Sequence, residues 1–154
     1  MKNYQITNKS DWTDRTDSHR QERIHQQISL KSLLKTDSSS SNPGFAFLGF
    51  CCDEGIKRNK GRVGAKEGPQ AIRRSLRNLC LPESFKIPLF DFGNIFCLNE
   101  DLESAQNNLC EAVHILLKKK NLPIVLGGGH ETAWGHFQGL SKALPKNKKI
   151  SLIN

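Results

Sequence analysis

Apolar residues along this chain fall into two patterns, short unbroken runs and longer stretches in which they recur every three or four positions. Residues 45–50 (FAFLGF) make the first unbroken run, as expected of a strand covered on both faces. Residues 87–92 read as a second strand, and Pro88 places it near a sheet edge because proline cannot donate to a ladder. Residues 123–126 form a third buried strand that stops at Gly127-Gly128-Gly129, and residues 149–154, which carry ISLIN, begin a fourth. Helical spacing covers residues 20–34, through Ile24, Ile28, Leu33 and Leu34. It returns after Pro69, a residue suited to a first helical turn, through Ile72, Leu76 and Leu79. It is clearest over 102–117, where Leu102, Ala105, Leu109, Val113, Leu116 and Leu117 share one face. Ala133, Trp134, Phe137, Leu140 and Leu144 give one more helix.

Strands alternating with helices of this length predict right-handed βαβ units around a parallel sheet, an α/β fold. Residues 1–44 read as a polar segment with one helix and a Ser/Asn/Pro/Gly linker (36–44), and residues 45–154 as the α/β domain. A buried strand normally runs on into a loop and a helix. The strand that reaches Asn154 with nothing after it is therefore read as a sign of truncation.

Composition removes several classes of function. The net charge is +8, but the cations are scattered over Arg73, Arg74 and Arg77, Lys118 to Lys120, and Lys146, Lys148 and Lys149. No aromatic residues interleave with them as a stacking platform for nucleic acid requires, so they read as solvated surface. No apolar run approaches the roughly 20 residues that cross a bilayer. The N-terminus is polar, without the apolar core of a secretory signal, so a cytoplasmic protein with neither a membrane nor a nucleic-acid partner is expected. Cys51, Cys52, Cys80, Cys97 and Cys110 are odd in number and form no C-x-x-C pair. That argues for reduced thiols rather than a disulfide framework or a zinc site, with at most one of Cys51 and Cys52 facing the core.

Ligands of parallel α/β sheets bind beyond the carboxyl ends of the strands. Two segments fall there: the polar, glycine-rich loop 53–68 and the sequence Gly127-Gly128-Gly129-His130-Glu131. Consecutive glycines let the backbone turn sharply and approach a ligand. An imidazole at that corner suits a borderline metal ion, although a lone histidine near glycines is more often an ordinary polar residue. A phosphate cradle is disfavoured, since the G-x-x-x-x-G-K-[ST] pattern is absent and Glu131 would repel the anion.

The loop Asn59-Lys60-Gly61-Arg62-Val63-Gly64-Ala65-Lys66-Glu67-Gly68-Pro69-Gln70-Ala71-Ile72-Arg73 resembles the G-x-x-x-G-P-x-A-I-R signature of the ureohydrolases. Its form N-x-G-R-x-G-A is similar to that of the formimidoylglutamases. Leu126 to Gly139, with GGGHE, resembles the same family's first metal-ligand segment, where agmatinases and arginases more often carry G-G-D-H-S. Residues 12–17 (WTDRTD) and Arg23-Ile24-His25-Gln26 are similar to its W-x-G-R-x-D and R-x-H-Q segments, with Asp14 where the family has glycine.

The resemblance implies an arginase-like three-layer α/β/α fold and hydrolysis of N-formimidoyl-L-glutamate to L-glutamate and formamide, a step of histidine degradation. It implies a pair of Mn²⁺ ions that activate water, with His130 as the first ligand. The family's other ligands lie in D-A-H-x-D and D-x-D segments that this chain does not contain, so the 154 residues alone are expected to be inert. No residue is assigned a catalytic role. Asn59 and Arg62 are the expected substrate-binding residues, Arg62 either by pairing with a substrate carboxylate or by bracing the loop. Glu131 caps the following helix or orients a ligand from behind, His136 lies at the surface or behind the site, and His19, His25 and His114 are ordinary. Another ureohydrolase, an agmatinase or guanidinobutyrase, is the alternative substrate class, and a non-catalytic binding module the alternative of a different kind. Family members often form homo-oligomers. In an arginase-like sheet, strands of the second half separate the GGGH strand from ISLIN. The two runs are therefore expected to expose bare edges and aggregate, or to pair with each other.

Overall fold

A computed structural model describes residues 1–16, 20–35, 42–151 and 153. Its centre is a sheet in the order β1 (Tyr4–Gln5), β4 (Leu89–Phe96), β3 (Phe45–Cys51), β5 (Leu122–Leu126), with β2 (Ile28–Leu30) also on β4. β3 (Phe45–Cys51) lies between β4 (Leu89–Phe96) and β5 (Leu122–Leu126), parallel to both. Alternation along β3 supplies two cores: Ala46, Leu48 and Phe50 face one, and Phe47 faces the other.

The first core is closed by α4 (Leu102–Lys118), which buries Leu102, Ala105, Leu109, Ala112, Val113 and Leu116, close to the expected face. Asp101 caps it, its Oδ1 accepting from Ser104 N at 2.9 Å. The second core holds Trp12, Ile24, Phe47, Leu89 and Leu126, covered by α3 (Gly68–Leu76). Helices on both faces of a largely parallel sheet give the expected three-layer α/β/α arrangement.

Several expectations are corrected. The helix over 20–34 shrinks to α1 (Ile24–Gln27), and Ile28–Leu30 becomes strand β2, parallel to β4. Ladder pairing beside Leu89 to Asp91 outweighs both the helical spacing and the helix-favouring residues of the segment (Arg20, Gln21, Glu22, Arg23, Leu30 and Lys31), a case of tertiary context overriding local propensity. β4 is not an edge strand; it has β3 on one side and β1 (Tyr4–Gln5, antiparallel) and β2 on the other. Pro88 stands just before it, where only its carbonyl is used, accepting from Phe45 N at 2.9 Å. Residues 149–151 and 153 form no strand; Leu152 and Asn154 lie outside the described residues, as do His19 and residues 36–41 of the linker. In the loop 53–68, α2 (Glu54–Arg58) and a 3-10 turn (Ala65–Glu67) appear.

Arg73 overturns the solvated-surface reading at its position. α3 turns Pro69, Arg73 and Leu76 inward, while Ile72 and Leu79 are exposed. Arg73 is 1% exposed and Asp91 0%. Arg73 Nε and Nη2 donate to the Asp91 carboxylate at 2.6 and 3.1 Å, and Nη1 donates to Asn94 Oδ1 at 2.7 Å. Asp91 also accepts from Thr7 Oγ1 (2.7 Å), Trp12 Nε1 (2.6 Å) and Gly93 N (2.8 Å). A buried ion pair is tolerated only when its remaining lone pairs and protons are satisfied in this way. A β-bulge makes room for it: the register slips between Phe47 and Gly49, and Gly93 takes φ 88°. A Cβ at Gly93 would lie 2.2 Å from Gln5 O, so glycine is what lets β1 close over the pair.

α5 (Thr132–Ala143) also turns a different face inward from the one its apolar spacing suggests. Gly135 and Gly139 are its buried residues, and a Cβ on Gly139 would meet Val113 Cβ at 2.6 Å, so the helix packs on α4 through glycine. Trp134 is left 55% exposed.

Candidate active site

Because β3 and β5 are parallel, their carboxyl ends deliver the loop 53–68 and the GGGHE turn to the same end of the sheet. Among the described residues β5 has no neighbour beyond β3, so His130 follows an outer strand rather than a central one. Between the two segments lies an open cleft of about 830 Å³. Ile56, Arg58, Asn59 and Gly61 line it from the α2 side, His130, Glu131, Trp134 and Phe137 from the α5 side, and Leu102 closes it from α4.

The turn is built by close chain packing. Gly127 and Gly128 adopt φ 69° and 78°, and Cβ atoms there would sit 2.4 Å from Pro69 Cδ and from Thr132 Oγ1. Gly127 thus approaches the start of α3, and Gly128 packs against Thr132 and Phe50, rather than a ligand as the spacing alone suggested. Thr132 Oγ1 donates within the turn to Gly129 O at 2.7 Å, and Gly129 N donates to Cys52 O at 3.2 Å. The imidazole of His130 is left exposed on the cleft wall.

Glu131 supplies no side-chain cap to α5, contrary to that expectation. Its side chain packs by Gly55 and Gly129, and its Oε1 is buried with no hydrogen-bond partner among the described residues. The opposite wall is held by Arg58, whose guanidinium reaches Glu54 Oε1 (3.2 Å), Glu103 Oε1 (2.6 Å) and Glu100 O (3.2 Å); Lys57 pairs with Glu100. Asp53 Oδ2 accepts from Gly64 N at 2.8 Å, folding the loop back on itself.

The expected site residues are thus partly brought together. His130 and Asn59 share the cleft, with Asn59 exposed at the end of α2, while Arg62 is exposed on the loop and not part of the cleft lining. Burial holds the half-buried His136 below the usual imidazole range, so it is neutral near pH 7. Sequence reasoning missed the apolar wall of Ile56, Leu102, Trp134 and Phe137. The last two stack with ring centroids 6.1 Å apart, and their spacing was taken for a core face.

The sequence profile of the Arginase family matches residues 43–154. The chain belongs to the arginase family. Among similar curated proteins, the formimidoylglutamase of Lysinibacillus sphaericus is 45% identical over 154 residues, covering 97% of this chain and 47% of that protein. The formimidoylglutamase of Geobacillus kaustophilus is 42% identical, covering 98% and 48%. The chain therefore spans about half the length of the curated relatives it matches. Among solved structures, formiminoglutamase of Trypanosoma cruzi with Mn2+2 superposes with a TM-score of 0.61 at 31% identity, covering 73% of this chain and 40% of that one. An arginase superfamily protein from the same organism gives 0.60 at 31%, covering 70% and 39%. The arginase-like fold class is thereby confirmed.

Among the described residues of this arginase-family chain, no three His, Cys, Asp or Glu side chains converge as metal ligands. His130 brings one imidazole, and metal ions of this kind need several protein ligands each. The described residues alone do not fit a metal ion.

Proposed function

We propose that this chain supplies the N-terminal part of a manganese-dependent hydrolase that converts N-formimidoyl-L-glutamate to L-glutamate and formamide. The observation that carries the reading is the position of His130: it follows the carboxyl end of a parallel strand and faces the cleft that Asn59 lines from the loop 53–68. On this reading His130 is one metal ligand, and polypeptide matching the second half of the longer relatives supplies the others. Asn59 contacts the substrate from the α2 wall. Arg62, three residues on, pairs with a substrate carboxylate through its two-pronged guanidinium once the cleft is completed. The stacked Trp134 and Phe137 shield that space from water. Glu131, with one carboxylate oxygen unpartnered among the described residues, orients a group that arrives with the second half. The partners are the small-molecule substrate and further copies of the chain, in the cytoplasm, with neither nucleic acid nor membrane.

The test is a joined chain, residues 1–154 followed by the second half of the L. sphaericus formimidoylglutamase. It should hydrolyse N-formimidoyl-L-glutamate with added Mn²⁺, and His130→Ala should remove most of that activity, while the 154 residues alone should show none. Arg62→Ala should raise KM far more than it lowers kcat. Faster turnover of agmatine by the joined chain would move the assignment to another ureohydrolase class, and full activity in the His130→Ala variant would overturn the ligand assignment.

A further inference from the structure

Two cysteines that immediately follow neighbouring strands, Cys52 after β3 and Cys97 after β4, lie side by side beneath the loops of the cleft. β3 and β4 run parallel, with Phe50 beside Ile95 and Cys51 beside Phe96. Cys97 N donates to Cys51 O at 3.2 Å, carrying the ladder one residue further and setting Cys52 next to Cys97. Both side chains belong to the same core, Cys52 buried in it and Cys97 packed against it from a half-buried position. Neighbouring strands run about 4.7–4.9 Å apart, inside the Cα separation of about 4.4–6.8 Å that a disulfide spans.

We propose that Cys52 and Cys97 are a redox-active pair, closed to an intramolecular disulfide by a small disulfide such as oxidised glutathione. Cys97 reacts first, because it borders a cavity of about 330 Å³, whereas Cys52 is 1% exposed. The Cys97 thiolate attacks one sulfur of oxidised glutathione, the glutathione S–S bond breaks, and one glutathione leaves and takes up a proton. The Cys52 thiolate then attacks the Cys97 sulfur of the mixed disulfide, and the second glutathione leaves with the second proton. Two chain thiols are oxidised and one oxidised glutathione is reduced to two thiols. Burial pushes both cysteine thiols up, so the closure accelerates as pH rises above neutrality.

The bond would act on the cleft. Cys52 precedes Asp53, which fastens the loop at Gly64, and its carbonyl holds Gly129 of the turn. Cys97 leads into the turn that carries Glu100 and Glu103, to which Lys57 and Arg58 clip α2. A disulfide beneath that exposed, salt-sensitive clip ties the α2 wall covalently to the α4 end of the cleft.

The full 154-residue chain is incubated with oxidised glutathione under native conditions, denatured, and its free thiols titrated. The count should fall from five to three. Digestion with trypsin should yield a cross-linked pair of peptides, residues 36–57 and 87–118, that a reductant releases. Cys51→Ser and Cys110→Ser should keep the cross-link, whereas Cys52→Ser and Cys97→Ser should each abolish it. Circular dichroism shows which variants are folded, and Cys52→Ala replaces the serine variant if the latter unfolds. Five titratable thiols after oxidation, a cross-link that survives in either Cys52 variant, or reaction that ends as a mixed disulfide at the exposed Cys80 would each overturn the proposal.

Discussion

The two flanks of the sheet are finished differently. On the β4 side, β1 and β2 cover the strand, and Asp91, 0% exposed, is ringed by donors from Thr7, Trp12, Arg73 and Gly93. On the β5 side, the described residues leave one edge of the strand without a ladder partner, Leu122 is 56% exposed, and α5 carries Trp134 outward. The first flank is satisfied within this chain. The second presents unpaired backbone and apolar side chains, the features that recruit another polypeptide. The candidate site lies toward the second flank. On the proposed reading, completing the sheet and completing the site are one event.

The largest expected effect tests the closed flank. Asp91→Ala strands the Arg73 guanidinium in the core and should cost on the order of 3–5 kcal/mol, a large part of a typical 5–15 kcal/mol stability. Urea denaturation followed by circular dichroism measures it. The double variant Asp91→Leu/Arg73→Met should be less damaged than Asp91→Ala, and equal loss in the two would show that the pair matters only as packing. Trp12→Ala, which removes both a buried ring and a donor to Asp91, should cost about 3–5 kcal/mol by the same assay.

A middle-sized effect belongs to the α4–α5 seam. Gly139→Ala places a methyl against Val113 and the Cys110 carbonyl and should destabilise by about 1–3 kcal/mol of overpacking, read as a lowered Tm. The open flank should give the opposite contrast. Trp134→Gln and Leu122→Lys should change stability by about 0.5 kcal/mol or less, yet raise the concentration at which the chain stays monomeric in light scattering. A large loss of stability in either would mean that the flank is closed in solution.

The smallest effect is electrostatic. Lys57 and Arg58 hold the Glu100 and Glu103 carboxylates below their ordinary range. Their clip is therefore present above the ordinary glutamate range and is lost as pH falls below it through the depressed values. Being exposed, it should also weaken in salt. Lower protection of the Asn59 and Gly61 amides against hydrogen exchange, taken relative to the intrinsic rate at each pH and salt concentration, with protection of the β3 amides unchanged, is the expected record.

Much of this was legible in the sequence, and the parts that were not share a cause. Residues 102–117 and 45–50 announced a helix and a strand because local period and burial agree there. The 20–34 helix failed because β2 is decided by pairing with a strand some sixty residues away, which spacing does not register. Arg73 was read as surface because nothing local names Asp91 as its partner. The face of α5 was misjudged because glycine, not leucine, makes its closest packing. At the site, the shared end of the sheet followed from parallel topology alone, so His130 and the 53–68 loop were placed correctly relative to one another. The exposed position of Arg62 and the aromatic wall depend on loop and helix rotation, which the motif does not specify.

The most direct test of the central claim, that His130 serves a metal site completed by additional polypeptide, is calorimetric titration of Mn²⁺ into the 154-residue chain and into the joined chain. The prediction is no tight binding to the 154 residues, two Mn²⁺ per joined chain, and loss of tight binding at one site in the joined His130→Ala variant. Tight binding of two Mn²⁺ by the 154 residues alone, or unchanged binding in the joined His130→Ala variant, would contradict it.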